Sequence, residues 1–168
     1  MSGAKKPFGK WSEPNVPHKG WECIGIRDIL DEQDDLEICE MCEHQEIRYI
    51  HTMQHSAYPV TLDVGCHCAG RMEEDYERAE KREQALKNKI SRLERFIEGD
   101  WGYTNKGNLK KKKDGYLVVL QEVEGGWKGV LIHLAHEKST FAKHVHPTLK
   151  DAKKAAFESI EILKDKAK

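Results

Sequence analysis

The sequence predicts an α+β chain in four parts: a flexible N-terminal tail at 1–20, a small metal-stabilised unit at 21–72, a long helix at 73–99 and a C-terminal ββ(β)α unit at 100–168. Three observations predict this order. Two close cysteine pairs, Cys39-Glu-Met-Cys42 and Cys66-His-Cys68, enclose a 23-residue interval with strand patterning. From about Gly70 to Glu98, apolar residues recur at spacings of three and four with no internal proline or glycine. Beyond Gly99, two apolar runs joined by Glu124-Gly125-Gly126 precede a last amphipathic segment.

Composition sets the frame for these parts. With 38% hydrophobic and 34% charged residues in 168, the chain is soluble and builds small cores that need help from outside the hydrophobic effect. No apolar run reaches the length of a membrane span, and the polar start Met-Ser-Gly-Ala-Lys-Lys lacks a signal peptide's apolar centre. The expectation is a cytoplasmic protein with no membrane partner, whose five cysteines serve metal or remain thiols rather than form disulfides. Charge is uneven: 14 basic residues meet 8 acidic ones from Trp101 onward, against 14 and 21 in the first hundred. A polyanion or an acidic partner could therefore meet the C-terminal part.

The tail holds three of the five prolines, and Pro7, Pro14 and Pro17 oppose regular structure. Trp11 and the segment Pro17–Trp21 are the alternative to a free tail, because tryptophan seldom stays in solvent. Trp21 to Ile29 reads as a short strand, with Cys23 a small buried hydrophobe rather than a ligand. Asp31, Glu32, Asp34, Asp35 and Glu37 form an acidic loop without the spacing of a calcium site.

The interval between the cysteine pairs reads as a hairpin, Gln45–Met53 and Tyr58–Val64, and Gly65 permits a tight turn before Cys66. A cysteine knuckle, a hairpin and ligands at a helix start make the plan of a treble-clef zinc finger. Cys39, Cys42, Cys66 and Cys68 are the expected ligands of one Zn2+, since four thiolates suit a closed tetrahedral site. The residues Ile38-Cys39-Glu-Met-Cys42, Ile47-Arg-Tyr-Ile-His51, Met53, His55 and Val64-Gly-Cys-His-Cys-Ala69 resemble a group of uncharacterised bacterial and phage treble-clef zinc-finger proteins. The resemblance extends upstream over Val16–Trp21 and downstream to Trp101, Lys106-Gly-Asn108 and Trp127; it implies fold and zinc, and no activity. More distant treble-clef relatives carry one cysteine after Val-Gly, matching Cys68, which leaves His51, His55 or His67 as alternatives to Cys66.

His51 and His55 stand four apart, but Thr52 occupies the place of a zincin's glutamate. The long helix has a narrow stripe of Met72, Tyr76, Ala79, Leu86, Ile90, Leu93 and Ile97, interrupted by Glu83. A homodimer through 73–99 and packing of the helix on the chain's own sheet are equally compatible with it.

Gly99 to Gly115 reads as a loop in which Trp101 and Tyr103 accompany Lys110, Lys111, Lys112 and Lys113. Aromatic rings stack bases and lysines neutralise phosphates, so these residues are candidate DNA or RNA contacts. Tyr116–Val123 and Trp127–Leu134 form a hairpin, Thr140–Val145 a third strand, and Thr148 caps a helix with Asp151 three residues on. Lys153 and Lys154 at this helix start are superficially similar to the lysine-rich helix of double-stranded RNA-binding domains and join the candidate contacts, though the glycine-rich approach is absent.

Three function classes follow. A non-enzymatic zinc-binding module that binds nucleic acid stands first, a protein adaptor with structural zinc second, and a metal-dependent nuclease third. Four cysteines would close the metal site, and no phosphate loop or nucleophile motif is present, which disfavours catalysis.

Overall fold

The structure is a computed structural model that describes residues 9–141 and 143–168. It forms two compact units, divided between Lys89 and Ile90. It is mixed α+β with antiparallel sheets.

The first unit contains β1 (Glu22–Asp28), β2 (Glu37–Ile38), β3 (Glu46–Ile47), β4 (Tyr49–Gln54), β5 (Leu62–Val64) and α1 (Cys66–Met72). The first fourteen residues of α2 (Tyr76–Glu98) also belong to it. β4 is the centre of the sheet β1-β4-β5, with both neighbours antiparallel. A central strand is covered on both faces, so Ile50 and His51, which point to opposite sides, are both fully buried. β2 and β3 pair as a separate small hairpin around Cys39 and Cys42.

Two sequence expectations change here. Residues 9–20, expected as part of a flexible tail, pack on the unit: Trp11, Val16 and Trp21 lie in its core. Lys10 N–H donates to Met41 O at 2.8 Å, and the Trp21 indole donates to Pro17 O at 2.8 Å. The rest of that expectation, on residues 1–8, lies outside the described residues.

The single helix expected from about Gly70 to Glu98 is two helices, and the first begins earlier, at Cys66. Glu74 breaks the run with φ of +57°, and Asp75 N–H returns to Gly70 O at 2.9 Å. Gly70 makes this possible, because a Cβ there would lie 2.9 Å from the Tyr76 Cα. Gly65 acts by close approach rather than by a special turn: its φ is an ordinary −77°, but a Cβ would meet Ile47 Cγ2 at 2.7 Å. That approach brings the β2–β3 hairpin against the start of α1.

The second unit holds the rest of α2, then β6 (Gly102–Tyr103), β7 (Leu109–Lys113), β8 (Tyr116–Val123), β9 (Gly126–His133), β10 (Lys138–Phe141) and α3 (Leu149–Lys166). The five strands form one antiparallel sheet in the order β10-β9-β8-β7-β6. The expected ββ(β)α unit thus gains two strands from the segment read as a loop, because Lys110–Lys113 alternate as a strand. Val118, Leu120 and Leu131 point to the helices and meet Phe96, Ala152, Phe157 and Ile160. Thr148 caps α3 by accepting from Asp151 N–H at 3.1 Å, as the sequence suggests.

Candidate metal centre

The β2–β3 hairpin is shaped to turn two thiols inward. Cys39 N–H donates to Gln45 O and Glu43 N–H to Cys39 O, each at 2.8 Å, while Glu43 closes the turn with φ of +61°. The approach of Gly65 to Ile47 then sets Cys68, in the first turn of α1, opposite them. The sulfurs of Cys39, Cys42 and Cys68 lie within 4.8 Å of one another and all three residues are buried.

This cluster could hold a metal ion, and the surroundings of Cys39 favour the thiolate form that an ion requires. The Cys68 thiol donates to Cys39, which with N–H groups of Cys42, Gly65 and Met41 outweighs burial and lowers Cys39 to about 5. Cys68 is pushed upward because it supplies that shared proton and because it is buried. Trp11 is buried in the same core as these three cysteines, and the Arg71 guanidinium lies 4.2 Å over its ring. The N-terminal segment therefore seals the cluster.

Cys66 does not join these three. Cys66 and Cys68 both lie in the first turn of α1, and residues two apart on a helix point about 200° apart. The expected four-cysteine set divides: Cys66 instead lies within 4.8 Å of His51 and Glu83. Among the described residues no fourth donor completes the three-cysteine group. His55 points away as well: its Nε2–H donates to Lys19 O at 3.1 Å and its Nδ1 accepts from Ala57 N–H at 2.9 Å. His67 packs beside Tyr76 at 5.4 Å between ring centres.

Around His51 there is a buried polar network. Arg82 grips Glu73 with two bonds of 3.0 and 3.2 Å and donates its Nε–H to His51 Nδ1 at 3.1 Å. Burial and then the Arg82 charge lower the His51 pKa, so the ring is neutral. Glu83 was visible in the sequence only as an acid interrupting the apolar stripe of the helix. Arg82 and Glu73 gave no comparable signal, since charged residues crowd that helix.

The candidate nucleic-acid residues also divide. Cross-strand register places Lys111 and Lys113 on the helix side of the sheet, opposite Val118 and Tyr116, and Lys110 and Lys112 on the outer side, opposite Val119 and Leu117. Lys111 and Lys153 donate to the last carbonyls of α2, Phe96 O and Ile97 O, each at 3.1 Å. Both amines also sit over the Trp101 ring, at 5.6 and 5.0 Å, and the Trp101 indole donates to Phe96 O. These three residues cap a helix end whose carbonyls would otherwise lack donors. Lys113 pairs with Asp114 and lies over Phe157. Tyr103 is exposed and Lys154 half-buried.

Among the described residues no helix is long and apolar enough to cross a membrane. Comparison with protein families, curated proteins and solved structures returns no match to this chain.

Proposed function

We propose that this chain is a non-enzymatic zinc-binding module, with a treble-clef-like first unit, whose second unit binds a protein partner through the outer face of its sheet. Convergence of three buried thiols is the observation that supports the metal, and thiolate ligands in a knuckle and at a helix start favour zinc. Zinc would be structural there, adding binding energy to the folding of a small unit.

The outer sheet face supports the adaptor role. Leu117, Val119, Val130 and Ile132 are half-buried on the side away from the helices, and Phe141 at its edge is 72% exposed. Lys110, Lys112 and Lys128 surround this apolar centre, and among its described residues the face carries no acid. An apolar segment flanked by Asp or Glu matches such a surface in both shape of contact and charge. A second role, nucleic-acid binding, is favoured by those same lysines and by exposed Tyr103 on β6, the strand paired with β7; the aliphatic centre offers few rings for base stacking.

Panning a random dodecapeptide library against the full chain and against Val119→Glu tests the adaptor role. Enriched peptides with acids flanking apolar residues, lost on the variant, would support it. No enrichment, or enrichment that the variant retains, would refute it. Short oligonucleotides bound with a steep salt dependence that Lys110→Gln/Lys112→Gln abolishes would install nucleic acid instead.

A further inference from the structure

We propose that His51, Cys66 and Glu83 form a second metal site, for a divalent ion of the zinc class, independent of the three-cysteine centre. The three come from β4, α1 and α2, and their ligand atoms lie within 4.8 Å of one another. Tetrahedral ligands at about 2.0–2.3 Å from an ion stand roughly 3.3–3.8 Å apart, and His51 Nε2 and Glu83 Oε1 already stand 3.7 Å apart.

His51 carries the argument furthest. The residue is fully buried, and its Nε2 has no hydrogen-bond partner. That atom faces Glu83 Oε1 at 3.7 Å, too far for a hydrogen bond. A buried ring nitrogen left unpaired beside a thiol and a carboxylate is costly unless something joins them. One nitrogen, one sulfur and one oxygen donor suit zinc-class ions; calcium and magnesium take oxygen ligands. Cys66 and Glu83 also line a cavity of about 390 Å³, with Tyr49, His67 and Tyr76 among its walls. Three protein ligands with an opening to a cavity leave a fourth position for water or an incoming ligand.

Arg82 opposes loading. Its Nε–H donates to His51 Nδ1, which places the ring proton on Nε2 in the metal-free protein. An ion at Nε2 must send that proton to Nδ1, where the Arg82 Nε–H loses its acceptor while the bonds to Glu73 remain. Replacing Arg82 by lysine keeps a cation for Glu73 and removes the opposing donor.

The test is titration of the metal-free full chain with cobalt(II), read by its thiolate charge-transfer and ligand-field absorption. The wild type takes two equivalents, and Cys66→Ser and Glu83→Gln each lose one while keeping the thiolate-rich spectrum. Arg82→Lys binds the second equivalent about tenfold more tightly, the value of one hydrogen bond no longer lost. Saturation of the wild type at one equivalent that survives Cys66→Ser overturns the site, as does a second equivalent that survives both variants. Unchanged or weaker binding in Arg82→Lys overturns ligation through His51 Nε2. A single equivalent that depends on Cys66 and not on Cys39 leaves this site standing and removes the three-cysteine centre.

Discussion

Gly70→Ala sets local helix propensity against packing, and the structure decides the sign. Glycine inside a helix costs about 1 kcal/mol relative to alanine, so propensity alone makes this substitution stabilising. A Cβ at Gly70, however, would lie 2.6 Å from Tyr76 Cδ1 and 2.9 Å from Tyr76 Cα. The Cα cannot swing aside like a side-chain tip, and it is tied down next to Asp75, whose N–H bonds Gly70 O. Overpacking against backbone costs about 2–3 kcal/mol, which leaves a net loss of roughly 1–2 kcal/mol. For a unit of this size that lowers Tm by about 5–10 °C. Gly25→Ala is the control, because nothing lies within 4 Å of a Cβ at that strand position. It should be neutral or stabilise by about 0.5 kcal/mol. Thermal unfolding followed by circular dichroism reads both. A Gly70→Ala protein as stable as the wild type would refute the close packing of α1 against α2.

Two more predictions concern the polar framework. Lys111→Gln should lower the stability of the second unit by about 1 kcal/mol through loss of the α2 cap, while Lys110→Gln, on the outer face, should change it by less than about 0.5 kcal/mol; equal effects in urea unfolding would deny the sorting of the lysines by strand alternation. The two hydrogen bonds from Arg48 hold Asp28 below the usual carboxylate range despite burial, with Leu30 N–H helping. A depressed carboxylate contributes its stability above its unfolded pKa of about 3.9 and loses it as pH falls through the lower folded value. Asp28→Asn should therefore cost about 1–3 kcal/mol at pH 7 and flatten the acid limb of the stability profile below about pH 4, a change visible in Tm measured from pH 2 to 7.

Local signals carried most of the second unit and part of the first. The β8–β9 hairpin, with Gly125 and Gly126 at positive φ, and the Thr148 cap follow from short-range chemistry and were legible. The strand character of Lys110–Lys113 was not, since four identical residues show no alternation until a partner strand tells one face from the other. Cys39, Cys42 and Cys68 were legible as a group because the knuckle spacing is short-range. Separation of Cys66 from them depended on where α1 begins: placed before a helix, a Cys-x-Cys pair can share an ion, and within one it cannot. The His51, Cys66 and Glu83 group joins residues 15 and 17 apart in sequence on three elements, a proximity that only tertiary packing creates.

The most direct measurement is the chelator-resistant zinc content of Cys68→Ser and Cys66→Ser beside the wild type, at a chelator concentration that leaves the wild type holding one ion. A centre formed by Cys39, Cys42 and Cys68 requires that Cys68→Ser lose this ion and Cys66→Ser keep it. Retention of the ion by Cys68→Ser, or its loss from Cys66→Ser alone, would contradict the three-cysteine centre.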